Sequence, residues 1–198
     1  MNFLAHIFLS CGHEELLIGN FLADYLNNEQ ARQYPEAIQE GVRLHRAIDT
    51  YTDNHPEVLK GVRRLYEAHS KYAPVIIDVF YDYLLSCNWH RYSDQPLPEF
   101  TREVYQVLEE NMALMPPGLK RHLPMMIADD WLRSYGSHNG LAITFRRMKN
   151  RVSRPEYLDG ALESLMLHHE GLNEEFNTFF PEVIEYVHSE FLSQIPKG

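Results

Sequence analysis

The chain has 198 residues, with 18 Lys+Arg against 28 Asp+Glu, giving a formal net charge of −10 with histidine neutral. This length suffices for one domain with its own core, and 44% apolar residues is ordinary globular usage. The acidic balance excludes a general nucleic-acid binder, so an acidic partner would have to meet a local exception.

Two cysteines, Cys11 and Cys87, stand far apart and form no CxxC pair. No disulfide framework or zinc knuckle is expected, and a reducing, cytoplasmic setting is. The opening Met1–Ser10 resembles a signal peptide only superficially, because it lacks a basic start and His6 interrupts its apolar run. No stretch approaches the roughly 18 apolar residues that span a bilayer, so no membrane contact is expected.

Apolar residues recur with a helical period almost throughout. Residues 14–27 carry Leu16, Leu17, Phe21, Leu22 and Leu26 on one face. Pro35 opens 35–51, and His55-Pro56 separates it from a helix marked by Val58, Val62, Leu65 and Tyr66. Pro74 opens 75–89, whose β-branched start resembles a strand but whose length favours a helix. Pro96 and Pro98 precede 99–115, and Pro116-Pro117 ends it; further helices are expected at 119–135, 139–150, 155–169 and 171–193. Asn139-Gly140 reads as a turn between helices, since its flanks do not alternate as hairpin strands do. With no repeat and no linker, the expectation is one all-α domain over 1–198.

Two short segments echo each other, Asn2-Phe3-Leu4-Ala5-His6 and Asn20-Phe21-Leu22-Ala23-Asp24. Each apolar patch ends in a metal-capable side chain, with an asparagine four residues earlier on the same helical face. Residues 41–54 place His45, Asp49 and Asp53 one turn apart on one face. Asp78 and Asp82 stand at i, i+4 in an otherwise apolar helix, where unpaired carboxylates are costly. A divalent cation would relieve that like-charge repulsion. Imidazole and carboxylate donors without thiolate suit Mn²⁺, Mg²⁺, Fe²⁺ or Zn²⁺, and a carboxylate-rich set leans towards Mn²⁺ or Mg²⁺.

Every one of these groups also has a structural reading. His6 could be a hydrogen-bonded core or cap histidine, and Asp24 a buried acceptor of backbone N–H groups. His45 and Asp49 could form a surface ion pair, Arg46 could pair with Asp49 or Asp53, and Asp78 and Asp82 could bridge Arg43, Arg63 or Arg64. Trp131 reads as a core aromatic, and His168-His169-Glu170 as an exposed helix end. No Walker loop, Rossmann fingerprint, HExxH or GxSxG occurs.

Met1-Asn2-Phe3-Leu4-Ala5-His6, Gly19-Asn20-Phe21-Leu22-Ala23-Asp24 and Leu44-His45-Arg46-Ala47-Ile48-Asp49 with Thr52-Asp53-Asn54 resemble the acyl carrier protein phosphodiesterase family. Asp78, Asp82 and Trp89 fit the same pattern, and weaker similarity runs from Trp131-Leu132-Arg133-Ser134-Tyr135 to Phe179-Phe180-Pro181. The resemblance implies a helical bundle of the HD-phosphohydrolase-like type and a Mn²⁺-dependent enzyme. Its reaction would be hydrolysis of the phosphodiester between 4′-phosphopantetheine and the serine of holo-acyl carrier protein, by a metal-activated water. Two features depart from the pattern: the chain has no adjacent His-Asp pair, and Arg43 stands where a relative can carry histidine.

On this resemblance His6, Asp24, Asp49 and Asp78 are expected among the metal ligands, with His45 a ligand or proton-transfer group. Arg46 would clamp a phosphate oxygen, and Asp53 or Asp82 would orient the ligands. The alternatives are a nucleotide phosphohydrolase of the HD type and a non-catalytic helical carrier-protein-binding module. An acidic carrier protein needs a basic landing site. Residues 146–154 supply Arg146, Arg147, Lys149, Arg151 and Arg154 with no acid among them, and Lys60, Arg63 and Arg64 form a second candidate.

Overall fold

A computed structural model describes residues 1–10 and 12–193; Cys11 lies outside the described residues. Eleven α-helices form in chain order among them: α1 Phe3–Leu9, α2 Glu14–Leu22, α3 Asn28–Ala31, α4 Glu36–Asn54, α5 Pro56–His69, α6 Ala73–Cys87, α7 Leu97–Glu110, α8 Pro117–Ala128, α9 Trp131–Ser134, α10 His138–Lys149 and α11 Ala161–Val187. No strand occurs among the described residues, and the helices form a single all-α domain. None of the helices is long and apolar enough to cross a membrane.

The centre of the domain is α6, buried nearly all round through Ile76, Ile77, Val79, Phe80, Tyr81, Leu84 and Leu85. A helix apolar on every side has no solvent face, so it must be wrapped by others. Helices α1, α5 and α11 do the wrapping, with Phe176, Phe179 and Phe180 of α11 filling the core beside Tyr81. Each such aromatic or aliphatic side chain contributes about 1.5–3 kcal/mol on burial.

Helix α4 buries a stripe of Ile38, Gly41, Val42, His45, Ile48 and Thr52, the three-and-four spacing of one helical face. It packs most closely on α2, where Gly19 and Gly41 meet. A β-carbon at Gly41 would lie 2.4 Å from the Leu16 carbonyl oxygen and 2.8 Å from the Gly19 Cα. Only paired glycines permit that crossing, and it presses Asn20 of α2 against His45 of α4.

Several boundaries differ from the periodic reading. The expected helices 155–169 and 171–193 are largely one helix, α11, running through Gly171. Its missing side chain makes room for the Arg64 guanidinium, which reaches Glu175 at 2.8 Å. The expected 119–135 helix breaks where Asp130 takes a positive φ of 45°, which separates α8 from α9. Asn139-Gly140 lies inside the first turn of α10, where the Ser137 hydroxyl accepts from the Gly140 N–H at 3.0 Å. Residues 23–27 leave the α-helix for a 3₁₀ turn, Ala23–Tyr25, which carries Asp24.

Candidate active site

His6 and His45 lie in the domain interior with their rings stacked, centroids 4.0 Å apart and 16° from parallel. Asn20 stands behind both. Its Nδ2 donates to the His6 carbonyl at 2.9 Å and to the Ser10 hydroxyl at 3.2 Å, which fixes the amide so that Oδ1 faces the imidazoles. That oxygen only accepts, so His6 Nδ1–H at 3.0 Å and His45 Nδ1–H at 2.9 Å both donate to it. Each Nε2 is thereby turned to the opposite side.

Carboxylates meet them there. His6 Nε2 is 3.0 Å from Asp49 Oδ1, while His45 Nε2 is 3.2 Å from Asp49 Oδ2 and 3.4 Å from Asp24 Oδ1. Burial drives the His6 imidazolium down to about 4 despite Asp49. Burial pushes His45 the same way, but hydrogen bonds to Asp24 and Asp49 outweigh it and hold its pKa up at about 9. Burial also opposes ionisation of Asp49 and Asp24, yet the imidazoles keep both below the usual carboxylate range.

His6 Nε2 faces the Asp49 carboxylate through a proton that it donates or, with the ring neutral and its proton on Nδ1, through a cation held between them. One donor atom from each of His6, His45 and Asp49 lies within 4.8 Å of the others, a set that fits a divalent cation. Asp24, with a 53% exposed side chain, stands at the open edge as a further donor. It is not the buried backbone acceptor that its sequence neighbourhood allows.

The remaining candidates fall outside this cluster. Asp78 Oδ1 is 3.1 Å from the Met1 amino nitrogen, which is itself 3.4 Å from Asp49 Oδ1, so Asp78 is one contact removed. Asp82 is fully buried and accepts from the Leu4 and Ala5 N–H groups at 2.8 and 3.0 Å, closing the N-terminus of the helix that carries His6. Burial pushes its carboxyl up to about 7 against those donors. Neither aspartate bridges Arg43, Arg63 or Arg64: Arg43 pairs with Glu36 and Glu40, and Arg64 with Glu175.

Asp53 is exposed one turn beyond Asp49, and partial burial together with Asp78 raises its pKa. Arg46 is exposed in a shallow groove with Arg32 and Arg43, and pairs with neither Asp49 nor Asp53. Asn20 is the member that charge-based reading passes over, because an amide carries no charge. Its sequence signals were the echo of Asn2 in Asn20 and its place in the Gly19–Asp24 segment that carries the family resemblance.

A cleft of about 550 Å³ begins at Met1 and Asp78 and extends between α6 and α10 to Trp131, Arg146, Arg147 and Arg151. Of the basic stretch, Arg147 pairs with Asp129 at 3.1 Å and lies 4.7 Å over the Trp131 ring. Lys149 pairs with Asp159, and Arg154 with Glu156. Arg146 and Arg151 have no carboxylate partner among the described residues, and both face the cleft. In the second basic candidate, Lys60 is paired with Glu57 and Arg64 with Glu175.

Fold and site together define an all-helical protein with a paired-histidine, carboxylate-edged centre opening beside an arginine-lined cleft. The family model described as acyl carrier protein phosphodiesterase matches residues 1–183, and the chain belongs to that family. Acyl carrier protein phosphodiesterases from Enterobacter sp. (strain 638) and Salmonella dublin are 30% and 31% identical to it over 185 residues, covering 93% of this chain and 96% of each relative. The Photorhabdus laumondii protein of the same name is 27% identical over 186 residues, covering 93% of this chain and 94% of its own. No solved structure matches.

Proposed function

We propose that this chain hydrolyses the phosphodiester joining 4′-phosphopantetheine to the serine of holo-acyl carrier protein, releasing apo-carrier protein. The convergence of His6 Nε2, His45 Nε2 and both Asp49 oxygens carries this reading, and the names of the relatives support its substrate. In the reaction a water oxygen bonds to phosphorus, the phosphorus–serine oxygen bond breaks, and a proton ends on the serine oxygen.

His6, His45 and Asp49 would hold a divalent cation, with Asp24 as a further ligand and Asp78 nearby. Mn²⁺ is the expected ion, with Mg²⁺ or Fe²⁺ as alternatives. Bound there, the cation supplies Lewis acidity to a water and neutralises charge growing on the phosphoryl oxygens. Asn20 holds both Nδ1–H groups, leaving both Nε2 atoms to donate outward. Asp82 anchors the first turn of α1 and so fixes the position of His6. Arg146 and Arg151 would receive the acidic carrier protein, acting locally against the overall charge within a screening length of about 8–10 Å. A cytoplasmic setting is in keeping with this reading and with cysteines that form no disulfide framework.

Intact-mass measurement of holo-carrier protein incubated with the enzyme and Mn²⁺, chelator or neither tests substrate, reaction and metal together. Loss of the phosphopantetheine mass with Mn²⁺ but not with chelator is expected. Turnover of free nucleotides without turnover of holo-carrier protein would instead favour the HD-type nucleotide phosphohydrolase. An unchanged mass at every metal concentration, without nucleotide turnover, would leave the non-catalytic binding module.

A further inference from the structure

We propose that the cleft between α6 and α10 is the subsite for the pantetheine arm of the substrate, an inference that rests on the reading above. The reactive phosphodiester is only the end of an extended group bearing a gem-dimethyl, a hydroxyl, two amides and a terminal thiol. A site that releases this group must place its arm somewhere, and the cleft begins where the centre ends. Met1 and Asp78 line its near end, and the Met1 amino nitrogen contacts both Asp78 and Asp49.

Size and lining fit such an arm. About 550 Å³ lies within the roughly 300–1,000 Å³ typical of small-ligand sites. Val75, Val79, Ile143 and Met148 give an apolar wall suited to the gem-dimethyl and methylene segments. Asn2 also lines the cleft, and its Nδ2 is buried with no hydrogen-bond partner. Asn2 occupies the cap position of α1 but makes no side-chain cap bond. A buried donor without an acceptor is costly, and a rotation of the partly buried Asn2 amide would bring Nδ2 to an amide carbonyl of the arm. Tyr25, beside Asp24, stacks on Phe3 of the cleft wall at 6.4 Å, so one aromatic pair joins the cleft lining to the residue next to the open edge of the centre.

Calorimetric titration of D-pantetheine, which lacks the phosphate, isolates arm recognition from metal chemistry. Saturable one-to-one binding to the wild type is expected, weakened at least tenfold in Ile143→Trp and in Val75→Trp, both at partly exposed cleft positions and both checked for folding by circular dichroism. The KM for holo-carrier protein should rise in the same two variants. Absence of heat at millimolar pantetheine, or equal binding by both folded variants, would overturn the assignment. If wild type releases phosphopantetheine while pantetheine does not bind, the cleft proposal falls and the reaction stands. If pantetheine binds in the cleft but holo-carrier protein is never cleaved, the reaction falls and the binding site stands.

Discussion

Two of the regions in which the domain buries histidine are resolved in opposite ways. His69, at the end of α5, donates its Nδ1–H to the Tyr157 carbonyl and accepts at Nε2 from the Ser164 hydroxyl, each at 2.7 Å. Both of its partners are neutral and both nitrogens are used, so the ring closes a packing joint between α5 and α11. His6 and His45 use one nitrogen each on a neutral amide and turn the other towards carboxylates. Burial is common to both regions. What differs is whether the second nitrogen meets a neutral partner or a carboxylate; His55 also meets one, Glu182, but alone, whereas His6 and His45 converge on Asp49 in a set that fits a cation.

The widest separation between the two regions should come from removing their side chains. His45→Ala and Asp49→Ala should each lower release of phosphopantetheine by on the order of 10²–10³-fold while circular dichroism stays helical. His69→Gln should cost about 1–3 kcal/mol in thermal unfolding and leave turnover per folded molecule unchanged. Equal loss of turnover in His69→Gln and His45→Ala would erase the distinction.

Asn20→Ala sharpens it further, since this amide orients both rings without facing the carboxylates. Mn²⁺ affinity measured by calorimetry should fall by about 10–100-fold, and stability by at least the roughly 1–3 kcal/mol of a buried group left unpaired, since Asn20 also holds the His6 carbonyl and the Ser10 hydroxyl.

Charge at His45 gives the paired-histidine centre a pH signature. A group whose folded pKa is raised stabilises below its unfolded value and loses that contribution as pH rises through the folded one. Metal-free stability should therefore decline from pH 6.5 towards about 9. A cation has to displace the same proton, so apparent Mn²⁺ affinity should rise over that interval by up to about tenfold per pH unit. Melting temperatures from pH 6.5 to 8.5, with and without Mn²⁺, should diverge. The smallest effect belongs to the surface: Arg146→Glu with Arg151→Glu should raise the KM for holo-carrier protein several-fold and flatten its salt dependence. Arg154→Glu, whose parent already pairs with Glu156, should shift KM less.

Legibility followed the range of the interaction. His45 and Asp49 share a face because four residues make about one helical turn, and the structure places them 3.2 Å apart. The same spacing misleads for Asp78 and Asp82, which turn to different partners, the amino nitrogen and the start of α1. Arg46 follows His45 directly, yet helical rotation carries it to an exposed groove. The basic stretch was visible as composition, but three of its five cations already have carboxylate partners.

From the sequence alone came the all-helical architecture, the acidic character, the family resemblance and the residue types of a metal-capable centre. All of these depend on composition or on spacing within one helix. Tertiary structure decided that Asn20 turns both imidazoles outward, that Asp82 holds α1 in place, and that the cleft starts beside the centre. Those outcomes depend on how closely separate helices approach. The paired glycines Gly19 and Gly41 set that distance through side chains they do not have, which no pattern of charge or hydropathy records.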